Sequence, residues 1–297
     1  MSTDIGFGIC IPNFRRGSGP ETMLAATQAA ERLGWHCALA TDHILVDSAA
    51  RGSDYRHIHE ALMSIAWLAG QTTTIRLGTS VLVVPMRSAM VLAKELATVD
   101  TLSDGRLIAG VGIGWNETEF QSVGAGDRFH QRGAFLEETI ELWRYLWGGG
   151  EGPYRGRFDG FEEGFFGPLP PQGAELPIWI GATAEAALRR AGRIADGYHC
   201  TGGDPASLRE RANVVGASAD EAGRDRPLIS ARVKVDYSGM ASGPAVISGS
   251  PEAMAARVRE YADAGARYLV IDFGETDPDL AASAIERFDQ EVVASLS

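Results

Sequence analysis

The sequence predicts an α/β fold, a (β/α)8 TIM barrel with an insertion after the fourth strand and its helix. Short apolar runs alternate with amphipathic runs along the whole chain, and the strand-like runs number eight. Alternation of this kind requires parallel strands joined by right-handed crossovers. The length of 297 residues suits one barrel of about 250 residues plus an insertion. A doubly wound open sheet is the alternative, but it does not need eight near-equivalent units.

The first half of the chain contains four strand–helix units. Short apolar runs predict buried strands at 5–11, 35–41, 74–84 and 106–114. Amphipathic runs predict the helices that follow, at 21–34, about 60–71, 89–103 and from about 130 to 147. The last of these helices has one apolar face, formed by Leu136, Ile140, Trp143 and Trp147.

Residues 148–176 are rich in glycine and proline and interrupt the regular pattern. We predict an insertion with a small hairpin, inside a single barrel domain that spans residues 1–297. A long loop of this kind in a compact domain is usually functional or mobile. Its aromatic side chains could cover the barrel mouth as a lid or pack the hairpin onto the barrel, and they are Tyr154, Phe158, Phe161, Phe165 and Phe166.

Four more units complete the barrel in the second half of the chain. The predicted strands lie at 177–181, 197–200, 228–236 and 267–273, and the predicted helices lie at 184–195, near 205–222, at about 250–265 and from about 278. The third of these helices carries clear end signals. Ser250 suits the N-cap, Pro251 the first turn and Gly265 the C-terminal stop. Its buried face is expected to consist of Met254, Val258 and Tyr261.

Composition excludes several classes of function. A net charge of −12 leaves no basic stripe to replace the counterions of a nucleic acid. No apolar run is long enough to span a bilayer, and no secretion signal is recognisable, so a cytoplasmic protein is expected. The cysteines Cys10, Cys37 and Cys200 are too scattered for a disulfide framework or a zinc knuckle and are expected in the core.

The stretch "DTLSDGRLIAGVGIGWNETEF" (100–120) holds a run of glycines that is not a dinucleotide fingerprint. Gly110, Gly112 and Gly114 alternate, but the position three after Gly112 is Trp115, and the next helix is expected only from about residue 130. In a barrel, Gly112 and Gly114 fall at the C-terminal end of strand four, where active sites are built. They would either let a ligand approach the backbone or relieve crowding inside the barrel.

Two histidines raise the possibility of a metal site. His57 and His59 resemble the paired histidines of barrel hydrolases, so a metal-dependent hydrolase is the alternative from another class. The pair lies in a loop before the second helix, and no strand-end histidine or carboxylate set completes it. Because two histidines rarely suffice as ligands, no metal site is predicted.

Several segments together resemble the luciferase-like flavin and deazaflavin oxidoreductases. They are "AAERLGWHCALATDH" (29–43), "LATVDTLSDGRLIAGVGIGWNETEF" (96–120), "RGAFLEETIELWRYLW" (132–147), "PIWIGATAEAALRRAGRIADGY" (177–198) and "SGSPEAMAARVREYADAG" (248–265). The resemblance covers nearly the whole chain in order. The segment "LGTSVLVVP" (77–85) favours the branch that uses the deazaflavin F420.

The resemblance implies an enzyme that binds F420, or alternatively FMN, at the C-terminal mouth of the barrel. With F420 the chemistry is hydride transfer to or from a small organic substrate; with reduced FMN and oxygen it is monooxygenation. A non-catalytic cofactor carrier is a further alternative. The F420 branch also implies a cis peptide bond at Ser80–Val81, which bulges against the central ring of the cofactor. Homodimers are common in the family, so a dimer is expected.

The resemblance also assigns roles to single residues. His43 is the expected proton donor or polariser and Asp42 its orienting carboxylate, because they match the Asp-His pair of the family. The loop from Gly181 to Thr183 is expected to bind the cofactor phosphate at a helix N-terminus, although Thr183 could equally be a plain N-cap. The residues expected to contact cofactor are Thr41, Ser80, Val81, Gly114, Asn116, Gly181, Ala182 and Thr183.

One position departs from the pattern of some relatives that oxidise sugar phosphates. Those relatives carry a glutamate directly after the G-x-G, and this chain carries Trp115. The departure puts a sugar-phosphate dehydrogenase role in doubt, and Trp115 is expected to be a core or wall residue.

Overall fold

A computed structural model describes residues 5–47 and 53–296 of the chain. Its strands are β1 (Gly6–Cys10), β2 (Cys37–Ala40), β3 (Arg76–Thr79), β4 (Leu82–Val83), β5 (Leu107–Gly112), β6 (Tyr154–Arg155), β7 (Gly160–Phe161), β8 (Ile178–Gly181), β9 (Gly197–Thr201), β10 (Leu228–Asp236), β11 (Val246–Ser248) and β12 (Tyr268–Asp272). Its α-helices are α1 (Pro20–Arg32), α2 (Ala61–Ala69), α3 (Ala89–Leu102), α4 (Glu117–Ser122), α5 (Arg132–Trp147), α6 (Glu185–Ile194), α7 (Pro205–Glu221), α8 (Pro251–Asp263) and α9 (Pro278–Glu291).

Eight parallel strands within the described ranges close into a barrel. β1 pairs with β2 and with β12, and the ring continues from β2 through β3, β5, β8, β9 and β10 to β12. Helices cover the outside, so the strands are buried on both faces and read as unbroken apolar runs. The predicted (β/α)8 barrel is confirmed. That residues 1–297 form a single domain stays a prediction.

The amino-terminal end of the barrel is filled by stacked rings. The rings of His36 and Tyr268 lie 3.9 Å apart between centroids, and Trp179 stacks on Tyr268 at 6.2 Å. Burial, reinforced by the nearby guanidinium of Arg76, lowers the pKa of His36 to about 4. The cleft of the described barrel opens at the opposite end, at the carboxyl ends of the strands.

The predicted strands and helices match the structure closely, with three corrections, of which the first is the unpredicted short strand β11 beside β10. The third predicted strand is interrupted at Ser80 and Val81 and becomes β3 and β4. A short helix, α4, begins directly after the glycine run, at Glu117, where the sequence predicted no helix before about 130. The carboxamide oxygen of Asn116 accepts a hydrogen bond from the N–H of Glu119 at 3.4 Å and so caps this helix. Gly110, Gly112 and Gly114 nevertheless lack the spacing of a dinucleotide fingerprint.

Helix α8 begins and ends where the sequence places it. The hydroxyl oxygen of Ser250 accepts a hydrogen bond from the N–H of Ala253 at 3.4 Å, and Pro251 occupies the first turn. Gly265 follows the helix with a φ of 101°, a conformation that other residues rarely adopt. The expected buried face is confirmed, since Met254, Val258 and Tyr261 are fully buried.

The insertion packs onto the outside of the barrel. β6 and β7 form the predicted hairpin, and the ring of Phe158 lies 5.4 Å from that of Phe135 on α5. The carboxylate of Glu138 on the same helix accepts hydrogen bonds from three consecutive backbone N–H groups, at 157–159. Phe165 is exposed. These contacts support the packing alternative, and no described residue of 148–176 lines the cleft at the barrel mouth.

Three further expectations concern the cysteines and the membrane. Cys10, Cys37 and Cys200 are buried and unpaired, as predicted. Among the helices that the structure describes, none has the length and apolar character needed to cross a bilayer. The cytoplasmic location stays a prediction.

Candidate active site

A cleft of about 770 Å³ opens at the carboxyl ends of the barrel strands. In a barrel this end carries the loops on which binding sites are built. The polar and charged residues in its wall are Thr41, Asp42, His43, Asp54, Tyr55, Ser80, Arg132, Thr183, Thr201 and Arg232. Its apolar wall includes Val81, Ile113, Trp115 and Ala182, together with Gly112, Gly114 and Gly181. Nearly all of the residues expected at a cofactor site therefore meet in one place.

His43 lies at the end of β2 and is held by a carboxylate from another part of the chain. Its Nδ1 is 2.9 Å from the Oε2 of Glu119, on α4. Both side chains are almost fully buried, at 8% and 3% exposure. An ionised carboxylate only accepts, so Nδ1 carries the proton and donates it to Glu119. The Nε2 atom is then the ring nitrogen available to a ligand in the cleft.

Glu119 is fixed by three donors. Besides His43, the backbone N–H of Ile44 donates to Oε1 at 2.6 Å and that of Leu45 at 3.2 Å. Burial alone would raise the pKa of this carboxyl, but the hydrogen bonds from His43 and the two backbone groups hold it below its ordinary value. Glu119 is therefore ionised at neutral pH.

The orienting role expected of Asp42 is wrong, because the carboxylate of Asp42 is engaged elsewhere. One oxygen accepts from the N–H of Val83 at 2.8 Å, and the other accepts from the guanidinium of Arg87 at 2.7 Å. Asp42 and His43, although adjacent in the sequence, therefore bind different partners. The sequence missed Glu119, although the Asn116-x-x-Glu119 spacing of a helix start was a signal for an ordered carboxylate there.

The floor of the cleft is a hydrogen-bonded layer inside the barrel. The guanidinium of Arg232 donates to the hydroxyl of Thr41 at 3.0 Å and to the carbonyl of Ser80 at 3.3 Å. Below it, His199 bridges two hydroxyls, with Nε2 2.8 Å from Ser80 Oγ and Nδ1 2.8 Å from Ser230 Oγ. Burial, and then the charge of Arg232, lowers the pKa of His199 to about 3. His199 is thus a neutral bridge that holds the Ser80 side chain.

The bond between Ser80 and Val81 is cis, as the resemblance implies. Val81 projects between two glycines of the neighbouring strands. A Cβ on Gly112 would lie 2.6 Å from a Val81 methyl group, and a Cβ on Gly181 would lie 2.9 Å from another. Gly110 is packed still more tightly, since its Cβ would lie 1.7 Å from the carbonyl oxygen of Thr79. Gly110, Gly112 and Gly114 thus relieve crowding inside the barrel. Gly112 and Gly114 do so in the wall of the cleft.

Far from His43 around the barrel, the cleft ends at the loop before α6. The N-cap of α6 is Ala184 rather than Thr183, and no side chain caps this helix. Its first-turn N–H groups are therefore not capped from within the loop. Arg132 also lines the cleft, and its Nη1 donates to the carbonyl of Phe129 at 2.5 Å. Its buried Nε has no hydrogen-bond partner among the described residues.

Asn116 lies differently from the prediction, whereas Trp115 occupies one of its two expected places. Asn116 is the buried N-cap of α4 and does not line the cleft, so the structure does not support its assignment to the cofactor site. Trp115 is half exposed, at 51%, and forms part of the cleft wall rather than the core.

The rings of His57 and His59 lie 5.5 Å apart. Within residues 5–47 and 53–296 no group of three or more His, Cys, Asp or Glu side chains could hold a metal ion.

Comparisons with known proteins agree with the fold. A family model described as luciferase-like monooxygenase matches residues 5–268. The F420-dependent glucose-6-phosphate dehydrogenase of Nocardia farcinica (strain IFM 10152) is 31% identical over 244 residues, which cover 79% of this chain and 68% of the relative. The corresponding protein of Gordonia bronchialis is 29% identical over 228 residues, covering 74% and 64%. The chain thus spans about two thirds of the length of these curated relatives.

Solved structures share the architecture at low sequence identity. The F420-dependent tetrahydromethanopterin reductase from Methanopyrus kandleri superposes with a TM-score of 0.80 at 19% identity, and the match covers 99% of each chain. At this identity the likeness establishes the barrel fold alone.

Proposed function

The chain belongs to the luciferase-like monooxygenase family, and on that premise we propose that it is an F420-dependent oxidoreductase acting on a small organic substrate. One observation carries the proposal. A single cleft joins the His43–Glu119 pair at one end to Arg132 and the uncapped start of α6 at the other. The curated relatives, which are named as F420-dependent dehydrogenases, support this choice of cofactor.

The residues of the cleft fit such a cofactor. The phosphate end needs donors, and Arg132 offers a buried Nε that lacks a partner among the described residues. The first-turn N–H groups of α6 and the hydroxyl of Thr183 offer more, beside Gly181 and Ala182. These local donors would recruit an anionic tail to a chain of net charge −12. Toward the barrel axis, the wall is lined by Thr41, Ser80 and Val81. Gly114 also lies in this wall and contributes no side chain to it.

The chemistry that F420 supplies when bound is the gain or loss of a hydride at its deazaflavin ring. The chain itself manages the accompanying proton. Since Nδ1 of His43 donates to Glu119, its Nε2 can accept a proton from a substrate hydroxyl, or return one to a carbonyl. Glu119 fixes the ring orientation and stabilises the charged imidazolium. The floor formed by Arg232, Ser80 and His199 positions the ligand from below.

Binding spectroscopy with F420 and FMN side by side tests the proposal. F420 should bind at micromolar or lower concentration, and Arg132→Gln should weaken its binding about tenfold because a charge-assisted hydrogen bond is lost. Arg155→Gln is the matched control, since Arg155 lies on the outer hairpin and pairs with Glu162. Binding of FMN alone would favour a flavin monooxygenase, and binding of neither would overturn the proposal.

We also propose that the chain forms a homodimer through the outer face of α2. Met63 and Trp67 lie one helical turn apart on that face and are 60% and 38% exposed. Large exposed apolar side chains that are neighbours on one helix face are typical of an interface.

A further inference from the structure

We propose that the substrate is a neutral molecule with a flat, apolar body and one hydroxyl or carbonyl group, and that it is not a phosphorylated sugar. The proposal rests on the proposed oxidoreductase function and names the substrate class for the same cleft. It differs from the substrate in the names of the curated relatives, which are glucose-6-phosphate dehydrogenases. Two independent features of the cleft carry it.

The first feature is an aromatic wall around His43. The ring of Tyr55 lies 4.7 Å from the imidazole, and the ring of Trp115 lies 6.0 Å away with its plane nearly perpendicular. Trp115 is half exposed in the cleft, which leaves a large apolar face without a described partner on its solvent side. Flat aromatic faces bind planar and apolar groups, and they offer nothing that compensates the desolvation of a phosphate.

The second feature is the charge near His43. Asp42 and Asp54 belong to this part of the wall, where Asp42 is ion-paired with Arg87 at 2.7 Å and Asp54 with Arg15 at 3.1 Å. The carboxylate of Glu119 lies directly behind the imidazole. A phosphate dianion placed here would be repelled by Glu119, and the guanidinium groups of Arg15 and Arg87 are already paired with carboxylates.

The cations of the cleft do not offset that repulsion. Within the described part of the chain, the cleft wall contains no lysine, and its arginines are Arg132 and Arg232. Arg232 is hydrogen-bonded to Thr41 and lies 3.8 Å from the carboxylate of Asp272. Arg132 begins α5 and lies at the end of the cleft that we assign to the cofactor. Among the wall residues within 5–47 and 53–296, no arginine is therefore left for a phosphate on the substrate.

The reaction balances with His43 and the cofactor alone. When an alcohol is oxidised, the carbinol C–H bond would break, and F420, when bound in the cleft, would supply the hydride acceptor. The O–H bond breaks at the same time, and its proton passes to Nε2 of His43. The products are a carbonyl compound, the reduced cofactor and an imidazolium that returns its proton to water. Reduction of a ketone is the reverse of each step.

The experiment compares acetophenone and 1-phenylethanol with glucose 6-phosphate on the F420-loaded protein. The two aromatic compounds should bind and be interconverted, and glucose 6-phosphate should give a kcat/KM at least a hundredfold lower than that of 1-phenylethanol. Trp115→Ala should raise the KM for 1-phenylethanol about tenfold, because the apolar face is removed. Phe165→Ala, on the exposed insertion, is the control and should change nothing.

Two outcomes would overturn the substrate assignment. One is a kcat/KM for glucose 6-phosphate equal to or above that for 1-phenylethanol, and the other is an unchanged KM in Trp115→Ala. Direct titration of acetophenone into the cofactor-free protein keeps the test separate from the proposed function. If F420 fails to bind but acetophenone binds and Trp115→Ala abolishes that binding, the cofactor proposal fails while the substrate class stands.

Discussion

His43 and Glu119 are 76 residues apart in the sequence, and Nδ1 of the one lies 2.9 Å from Oε2 of the other. Two different strand-end loops build this contact. His43 follows β2, and Glu119 lies on the short helix after β5, whose start is fixed by Asn116. The backbone N–H groups of 44 and 45 hold the other carboxylate oxygen, so the loop after β2 and the helix α4 are joined at one point.

Replacing either partner of this pair should slow the reaction without unfolding the protein. His43→Ala should lower kcat about a hundredfold or more, since it removes the proton acceptor. Glu119→Gln should lower kcat about tenfold and shift the pH profile of kcat/KM, because the imidazolium loses its charged partner. Steady-state kinetics across pH with F420 measures both effects.

Glu117→Gln provides the control for Glu119→Gln. Glu117 lies on the same helix, and its carboxylate is 3.8 Å from the exposed His130. It should leave kcat and the pH profile unchanged. An unchanged pH profile in Glu119→Gln would remove Glu119 from a positioning role.

Gly110 should be intolerant of a side chain for purely steric reasons. A Cβ there would meet the carbonyl oxygen of Thr79 at 1.7 Å, and backbone atoms of a paired strand cannot move aside cheaply. Gly110→Ala should therefore cost about 3 kcal/mol of unfolding free energy or more. Urea denaturation followed by circular dichroism measures it.

Gly70 offers the matched comparison for this substitution. It ends α2 with a φ of −79°, and a Cβ there would lie 3.7 Å from its nearest neighbour. Gly70→Ala should change stability by less than about 1 kcal/mol. Equal losses in the two variants would show that the crowding at Gly110 is not what selects glycine.

The sequence predicts the barrel well because a parallel strand buried on both faces has an unmistakable apolar pattern. The same pattern says nothing about the direction of single side chains beyond each strand end. The sequence therefore predicted Asp42 and His43 as an interacting pair, whereas their side chains bind different partners. Glu119 and Arg232 come from segments far along the chain, and the closed ring brings Glu119 against His43 and Arg232 into the cleft wall.

The proposed dimer interface predicts that a charge on the outer face of α2 separates the protomers. The native protein should sediment as a dimer. Trp67→Glu should sediment as a monomer, because it places a carboxylate at an apolar contact. Phe165→Glu, on an exposed loop away from α2, should remain dimeric. A monomeric native protein would refute the interface.

His199 should make the stability of the protein depend on pH between about 6.5 and 3. Its pKa falls from an ordinary 6.5 to about 3 because the ring is buried and lies near Arg232. The unfolded chain binds a proton below 6.5, but the folded chain stays neutral at this site until about pH 3. Protonation thus favours the unfolded state, and stability declines as the pH falls through this window.

His199→Gln should flatten that decline. One such site changes the unfolding free energy by at most about 1.4 kcal/mol per pH unit. The variant should lose this contribution to the slope of unfolding free energy against pH. His36, whose pKa is lowered to about 4, titrates in the same window in both proteins, so the difference between them isolates His199. His130→Gln, at a ring that is 82% exposed, is the control and should retain the native slope. Urea unfolding at intervals from pH 7 to pH 4 measures this slope for the native protein and for both variants. A slope in His199→Gln equal to that of the native protein would mean that the buried ring is protonated in the folded protein.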